Sequence, residues 1–257
     1  MMSQLMRYAP VISLIERVRP GHCLEVGCGA LGLGRFLSRQ FIGVDRDFSD
    51  YTGRPRPVSP FMLAARGDGT ALPFRNRSVD LVVLVDVLEH LPPEARRGVL
   101  AECDRVSRAW IAVAFPCNGR AARHDRELNG WLRARSLPVP GWLDEHLAYP
   151  LPKLEDVRRA LSRSTRRIRV TDNAWLPVHR LVMRWEAAAK GARYSAAMSD
   201  LFAPTSWRWR DHRLVTNLLR GVARAFWPAV RLLERRPGYR KFVVVEKIAD
   251  GWVIDGE

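Results

Sequence analysis

Residues 23–37 read CLEVGCGALGLGRFL, an apolar strand running directly into a turn that carries Gly27, Gly29 and Gly32. The spacing is G-x-G-x-x-G. A strand that feeds a helix through such a turn opens a parallel α/β sheet and lets backbone approach a ligand at the strand's carboxyl end. The chain keeps that rhythm: FIGVD (41–45) reads as strand 2, FMLAARGD (61–68) as strand 3, VDLVVLVDVL (79–88) as strand 4 and WIAVAFP (110–116) as strand 5. Between the last two, PPEARRGVLAECDRVS (92–107) reads as a helix begun by Pro92 and Pro93. Strands apolar on both faces imply a parallel sheet covered by helices on each side. The leading MMSQLMRYAPVISLIERVRPG reads as a helix rather than a signal peptide, because no small-residue cleavage site follows its short apolar stretch.

Several classes are excluded early. No apolar run approaches the roughly 18 residues needed to span a bilayer, and VDLVVLVDVLEHL contains Asp86 and Glu89. A cytoplasmic protein, at most peripheral at a membrane, is expected. Cys23, Cys28, Cys103 and Cys117 form no C-x-x-C pair and have no His at zinc-ligand spacing, so they read as buried reduced thiols and no metal is expected. The formal charge is +15, but 38 of the 42 basic residues are Arg, so composition alone is a weak argument for nucleic acid. Distribution says more. Residues 1–116 hold 15 basic and 12 acidic side chains, whereas residues 117–257 hold 27 and 15, so the positive field belongs to the second half.

After Cys117 a polar segment (118–152) interrupts the alternation, KLEDVRRALSRS (153–164) resumes it as a helix, and RIRVTDN (167–173) and KFVVVEKIA (241–249) read as strands 6 and 7. The long stretch between those strands is rich in Trp and Arg and mostly helical in pattern. The expected organisation is a core of residues 1–173 and 240–257 with a helical cap, 174–239, inserted between the last two strands. Within 212–236, Arg213, Arg220, Arg224, Arg231 and Arg235 fall on one helical face and Leu214, Leu218, Val222, Phe226 and Leu233 on the other. Such a helix can lie on an anionic membrane or simply cover the core.

The glycine turn, with Asp45 ending strand 2 and placed to take ribose hydroxyls, suits NAD and S-adenosylmethionine alike. Three features separate them. Glu25 stands inside strand 1, where a buried carboxylate needs a partner; a cationic amine supplies one and a pyrophosphate does not. In RGDGTALPF, Asp68 can accept from an adenine amine while backbone N–H groups such as that of Gly69 meet the ring. DVLEHLPP then places Asp86 and His90 at the carboxyl edge, beside the cofactor's reactive end.

The series LEVGCG, GVDRD, GDGTALPFRNRSVDLVVLVDVLEHLPP and WIAVAFP resembles the class I S-adenosylmethionine-dependent methyltransferases, in particular the small-molecule type 11 group that includes quinone-pathway enzymes. That resemblance implies a Rossmann-like, seven-stranded, mostly parallel sheet with strand 7 antiparallel. It also implies S-adenosyl-L-methionine bound by Gly27 and Gly29, with Glu25 serving the methionine amine through the loop, Asp45 the ribose, Asp68 the adenine and Asp86 the methionyl end. The family's third glycine falls where this chain has Leu31, so Gly32 carries over only with the turn rearranged by one residue.

Methyl transfer needs chiefly proximity and alignment, with a general base only for a hydroxyl or acidic-carbon acceptor. Candidates are His146, in GWLDEHLAYP beside Asp144, Glu145 and Tyr149, with His124 and Asp125 further off, and His90, which either contacts the ligand or serves as a cap or packing group at the start of the following helix. The expected acceptor is a small molecule, glycan or lipid-linked group. RNA is the rival, without the Asn/Asp-Pro-Pro-aromatic motif that amino-methylating nucleic-acid enzymes carry after strand 4. An NAD-dependent oxidoreductase leaves Glu25 and Asp68 idle, and a catalytically silent cofactor-binding scaffold is a last alternative.

Overall fold

A computed structural model describes residues 2–37, 39–49, 57–163, 165–188, 193 and 235–248. Its centre is a seven-stranded sheet: β1 (Cys23–Val26), β2 (Phe41–Asp45), β3 (Met62–Arg66), β4 (Val79–Val85), β5 (Ser107–Pro116), β6 (Arg166–Trp175) and β7 (Gly238–Lys247). The strand order is β3-β2-β1-β4-β5-β7-β6. Pairings from β3 through β5 are parallel, and β7 runs antiparallel to both β5 and β6. The expected Rossmann-like sheet with a reversed seventh strand is present. The chain steps outward from β1 to β3 in one direction and from β4 in the other, which opens a crevice at the carboxyl ends of β1 and β4, where ligands of such sheets bind.

β4 stands at the centre of the sheet, with Leu81, Val82, Val83 and Leu84 fully inaccessible; each such side chain stabilises by about 1.5–3 kcal/mol when removed from water. One face of the sheet is covered by α2 (Pro93–Val106) and α5 (Leu154–Leu161), through Val99, Leu100, Cys103, Val106, Val157 and Leu161. The other is covered by α1 (Met2–Val18), through Tyr8, Val11, Leu14 and Ile15. Those residues recur at helical spacing, so each helix offers one apolar stripe. All four cysteines are buried and free, and burial pushes the Cys23 thiol up to about 12.

The polar segment that broke the strand–helix alternation is itself helical: α3 (Asn118–Arg133) and α4 (Gly141–Ala148) pack through Leu128, Leu132 and Leu143. Its charged composition concealed a narrow apolar stripe. α6 (Leu176–Ala187) follows β6 directly, and its Leu176, Val178 and Val182 join Met6, Ala121 and Tyr239 in a cluster shared with α1, α3 and β7. The start of the expected cap is therefore welded to the core. β6 and β7 reach two residues further into 174–239 than anticipated, leaving 176–237 between them. The basic stripe expected over 212–236 lies, up to residue 234, outside the described residues. Among the described residues no helix is long and apolar enough to cross a membrane.

Candidate functional site

The turn after β1 is built by backbone conformation and one buried carboxylate. Gly27, Gly29 and Gly32 all have positive φ, at 71°, 55° and 43°. Gly27 donates its N–H to the Val44 carbonyl at 2.8 Å, and a Cβ there would meet Val87 at 2.4 Å. At Gly32 a Cβ would stand 2.2 Å from Glu25 Oε2. Both positions exclude side chains, by conformation and by space together. Gly29 differs: its Cβ direction points into open space.

Glu25 is buried, and its two oxygens are used within the protein. Oε2 accepts from the Leu33 N–H at 2.7 Å and Oε1 from the Tyr8 hydroxyl at 2.8 Å. Burial raises its pKa to about 7, offset in part by those two hydrogen bonds. Its geometry is that of a brace for the loop. Asp45 Oδ2 accepts from the Gly29 N–H at 2.7 Å and Oδ1 from the Asp47 N–H at 3.2 Å. This half-buried carboxylate closes the glycine turn at the end of β2. Asp68 caps its own turn, its Oδ1 accepting from the Thr70 N–H and hydroxyl, both at 2.8 Å, while Arg46 pairs with Oδ2. The Thr70 hydrogen bonds and Arg46 hold its pKa down near 2. Gly69 packs beside Val26 and Val99. α2 anchors the remainder of that turn: Glu102 accepts from the Leu72 N–H at 2.7 Å and Arg105 donates to the Phe74 carbonyl at 2.7 Å.

At the end of β4 the structure departs from the sequence reading. Asp86 is buried with positive φ, and its carboxylate is held by the Arg240 guanidinium at 2.7–2.9 Å and by Arg7 at 2.9 Å. Desolvation would raise its pKa, but the two arginines prevail and hold it below the usual carboxylate range. The group expected beside the methionyl end is thus an internal ion pair joining β4, β7 and α1.

Beyond it, Leu88–His90 form a short 3-10 turn that brings three donors together. One ligand atom each from Glu89, His90 and His146 lie within 4.8 Å of one another. Glu89 is fully inaccessible and, among the described residues, neither of its oxygens has a hydrogen-bond partner; burial and then Asp86 push its pKa well up. His146, also buried, has Nε2 3.8 Å from Glu89 Oε1 and Nδ1 3.2 Å from Asp125 Oδ2. Tyr239 donates to Asp125 Oδ1 at 2.7 Å. His90 places Nδ1 2.5 Å from Glu145 Oε2, with its ring 4.8 Å from that of His146. A cleft of about 350 Å³, lined by Asp125, Arg126 and Tyr149 among others, reaches this cluster at His146.

His146 and His90, 56 positions apart in sequence, are therefore neighbours. Tyr8, Arg7, Tyr239 and Arg240 escaped the sequence reading. Arg240 alone left a signal, as the first of two charges, with Lys241, before the apolar run FVVVE.

The open space at Gly29, the positive-φ turn and the carboxylates ending β2 and β3 form a cradle that fits an adenosine-bearing amino-acid cofactor. Residues 24–109 match the family model described as a methyltransferase domain, covering the glycine turn, both acidic strand ends and the Glu89–His90 turn. No curated protein matches the sequence. Among solved structures, the chain is similar to a SAM-dependent methyltransferase from Archaeoglobus fulgidus, with 14% identity, a TM-score of 0.45 and 93% of this chain and 94% of that one covered. It is also similar to magnesium protoporphyrin IX methyltransferase from Synechocystis with bound SAH, at 15% identity and a TM-score of 0.45, over 67% of this chain and 78% of that one.

Proposed function

We propose that the protein transfers a methyl group to a hydroxyl-bearing small-molecule, glycan or lipid-linked acceptor bound in the cleft between α3 and α4. The observation that carries this reading is the buried Asp125–His146 pair on the cleft wall. It stands at the carboxyl edge of the sheet, the same edge as the glycine turn. When bound, S-adenosylmethionine supplies an activated methyl group, so the protein's own task is to align and deprotonate. In this reading the Gly27–Gly29 backbone cradles the methionine portion, Asp45 takes the ribose hydroxyls, and Asp68 with the Gly69 N–H faces the adenine. Asp125 orients His146, holding the proton on Nδ1 and leaving Nε2 to accept the acceptor's proton; Tyr239 keeps Asp125 in place. Calorimetric titration with S-adenosylhomocysteine and, separately, NAD tests the cofactor half. Binding of the first and not the second is expected, and binding of NAD alone would refute the reading.

A further inference from the structure

We propose that Glu89, His90 and His146 bind a single divalent transition-metal ion at the inner end of the cleft. The inference deepens the acceptor-side reading above and rests on it for its role, but not for its test. Two imidazoles and one carboxylate, one ligand atom from each within 4.8 Å of the others, form the three-ligand set of sites that keep coordination positions open.

Two independent features point to a ligand. First, Glu89 is fully buried with both oxygens unpartnered among the described residues, and a buried carboxyl group in that state calls for a proton or a cation. Its nearest cationic candidate, His146 Nε2, stands 3.8 Å away, too far for a hydrogen bond and suited to an ion between them. Second, each histidine already has a carboxylate on Nδ1: Asp125 at 3.2 Å for His146 and Glu145 at 2.5 Å for His90. Such partners fix the Nδ1–H tautomer and turn Nε2 into the free lone pair, as carboxylate–histidine–metal arrangements require. The cleft gives access, since His146 and Asp125 line it. His146 Nε2 is thus the base in the ion-free protein and a ligand in the loaded one, where the ion's open positions would take the acceptor oxygen and lower its pKa so that its proton leaves to water in the cleft.

The test is equilibrium dialysis of the full chain, stripped with chelator, against Zn²⁺ and, separately, Co²⁺, whose visible absorption reports nitrogen and oxygen ligation. One ion per chain is expected. Glu89→Gln and His146→Gln should each weaken Zn²⁺ binding by about tenfold or more, and Asp125→Asn, which touches no ion, by roughly 10–100-fold. S-adenosylhomocysteine affinity, measured on the same samples, should stay unchanged and shows that each variant is folded. Protein that binds S-adenosylhomocysteine but takes up no stoichiometric Zn²⁺ or Co²⁺ would overturn the metal site and leave the methyltransferase reading standing. Uptake that survives both Glu89→Gln and His146→Gln would overturn it equally. Loss of S-adenosylhomocysteine binding in the wild type, with metal uptake intact, would instead count against the cofactor assignment.

Discussion

Tyr8 on α1 donates its hydroxyl to Glu25 Oε1 at 2.8 Å, so the N-terminal helix holds one end of the carboxylate whose other oxygen holds the glycine turn at Leu33. The loop's shape therefore depends on a helix that the turn's own residues never touch in sequence. Tyr8→Phe leaves Glu25 with one partner in a buried site and should cost about 1–3 kcal/mol. It should also weaken S-adenosylhomocysteine binding, read by calorimetry. Unchanged stability and affinity would show that α1 only covers the sheet.

Glu25 makes stability depend on pH. Its pKa rises from 4.5 to about 7 on folding because burial disfavours the charge. Between those values the folded state holds more protons, so this group's contribution is full below pH 4.5 and fades as pH rises through 7. Glu25→Gln can still accept from the Leu33 N–H while its amide donates to Tyr8. The variant should lose that slope, seen as a smaller drop in urea midpoint between pH 5 and 8 than in the wild type. Equal drops would mean Glu25 is ionised throughout.

Asp45 closes the turn through the Gly29 N–H at 2.7 Å. Asp45→Ala removes a charged acceptor of the kind worth about 1.5–3 kcal/mol, and S-adenosylhomocysteine affinity should fall by roughly 10–100-fold with the circular dichroism spectrum preserved. Retained affinity would take Asp45 out of the site.

His146→Ala should reduce turnover by about 10²–10⁴-fold, the usual worth of a positioned proton acceptor, while cofactor affinity stays within twofold, roughly speaking. Radiolabel transfer from S-adenosylmethionine measures the first and calorimetry the second. Normal turnover would remove His146 from the chemistry.

Arg240 and Asp86 form a buried pair with contacts of 2.7–2.9 Å. Arg240→Met strands the carboxylate with Arg7 alone and should cost about 3–5 kcal/mol by chemical denaturation; Arg240→Met with Asp86→Asn should cost less than the two changes added. Strict additivity would mean the pair is not coupled.

Much of the fold was legible because periodicity and turn chemistry are local. The strands from LEVGCG to WIAVAFP are apolar on both faces, and glycine is the only residue that fits Gly27 and Gly32, so their sequence already implied a parallel sheet, a cofactor turn and the carboxylates at its edge. What α3 and α4 would do was hidden, since their few apolar residues are spread through charged sequence and become a stripe only on a helix. The partners of the site were hidden for a different reason. Asp86 meets Arg240 across 154 positions, Tyr239 meets Asp125 across 114, and His146 meets Glu89 across 57. The sequence by itself determined which side chains stand at the strand ends, through local pattern alone. Only the tertiary structure decided which of them are spent on one another and which, like Glu89, are buried without a hydrogen-bond partner among the described residues, because burial and charge pairing depend on distances that chain order does not encode.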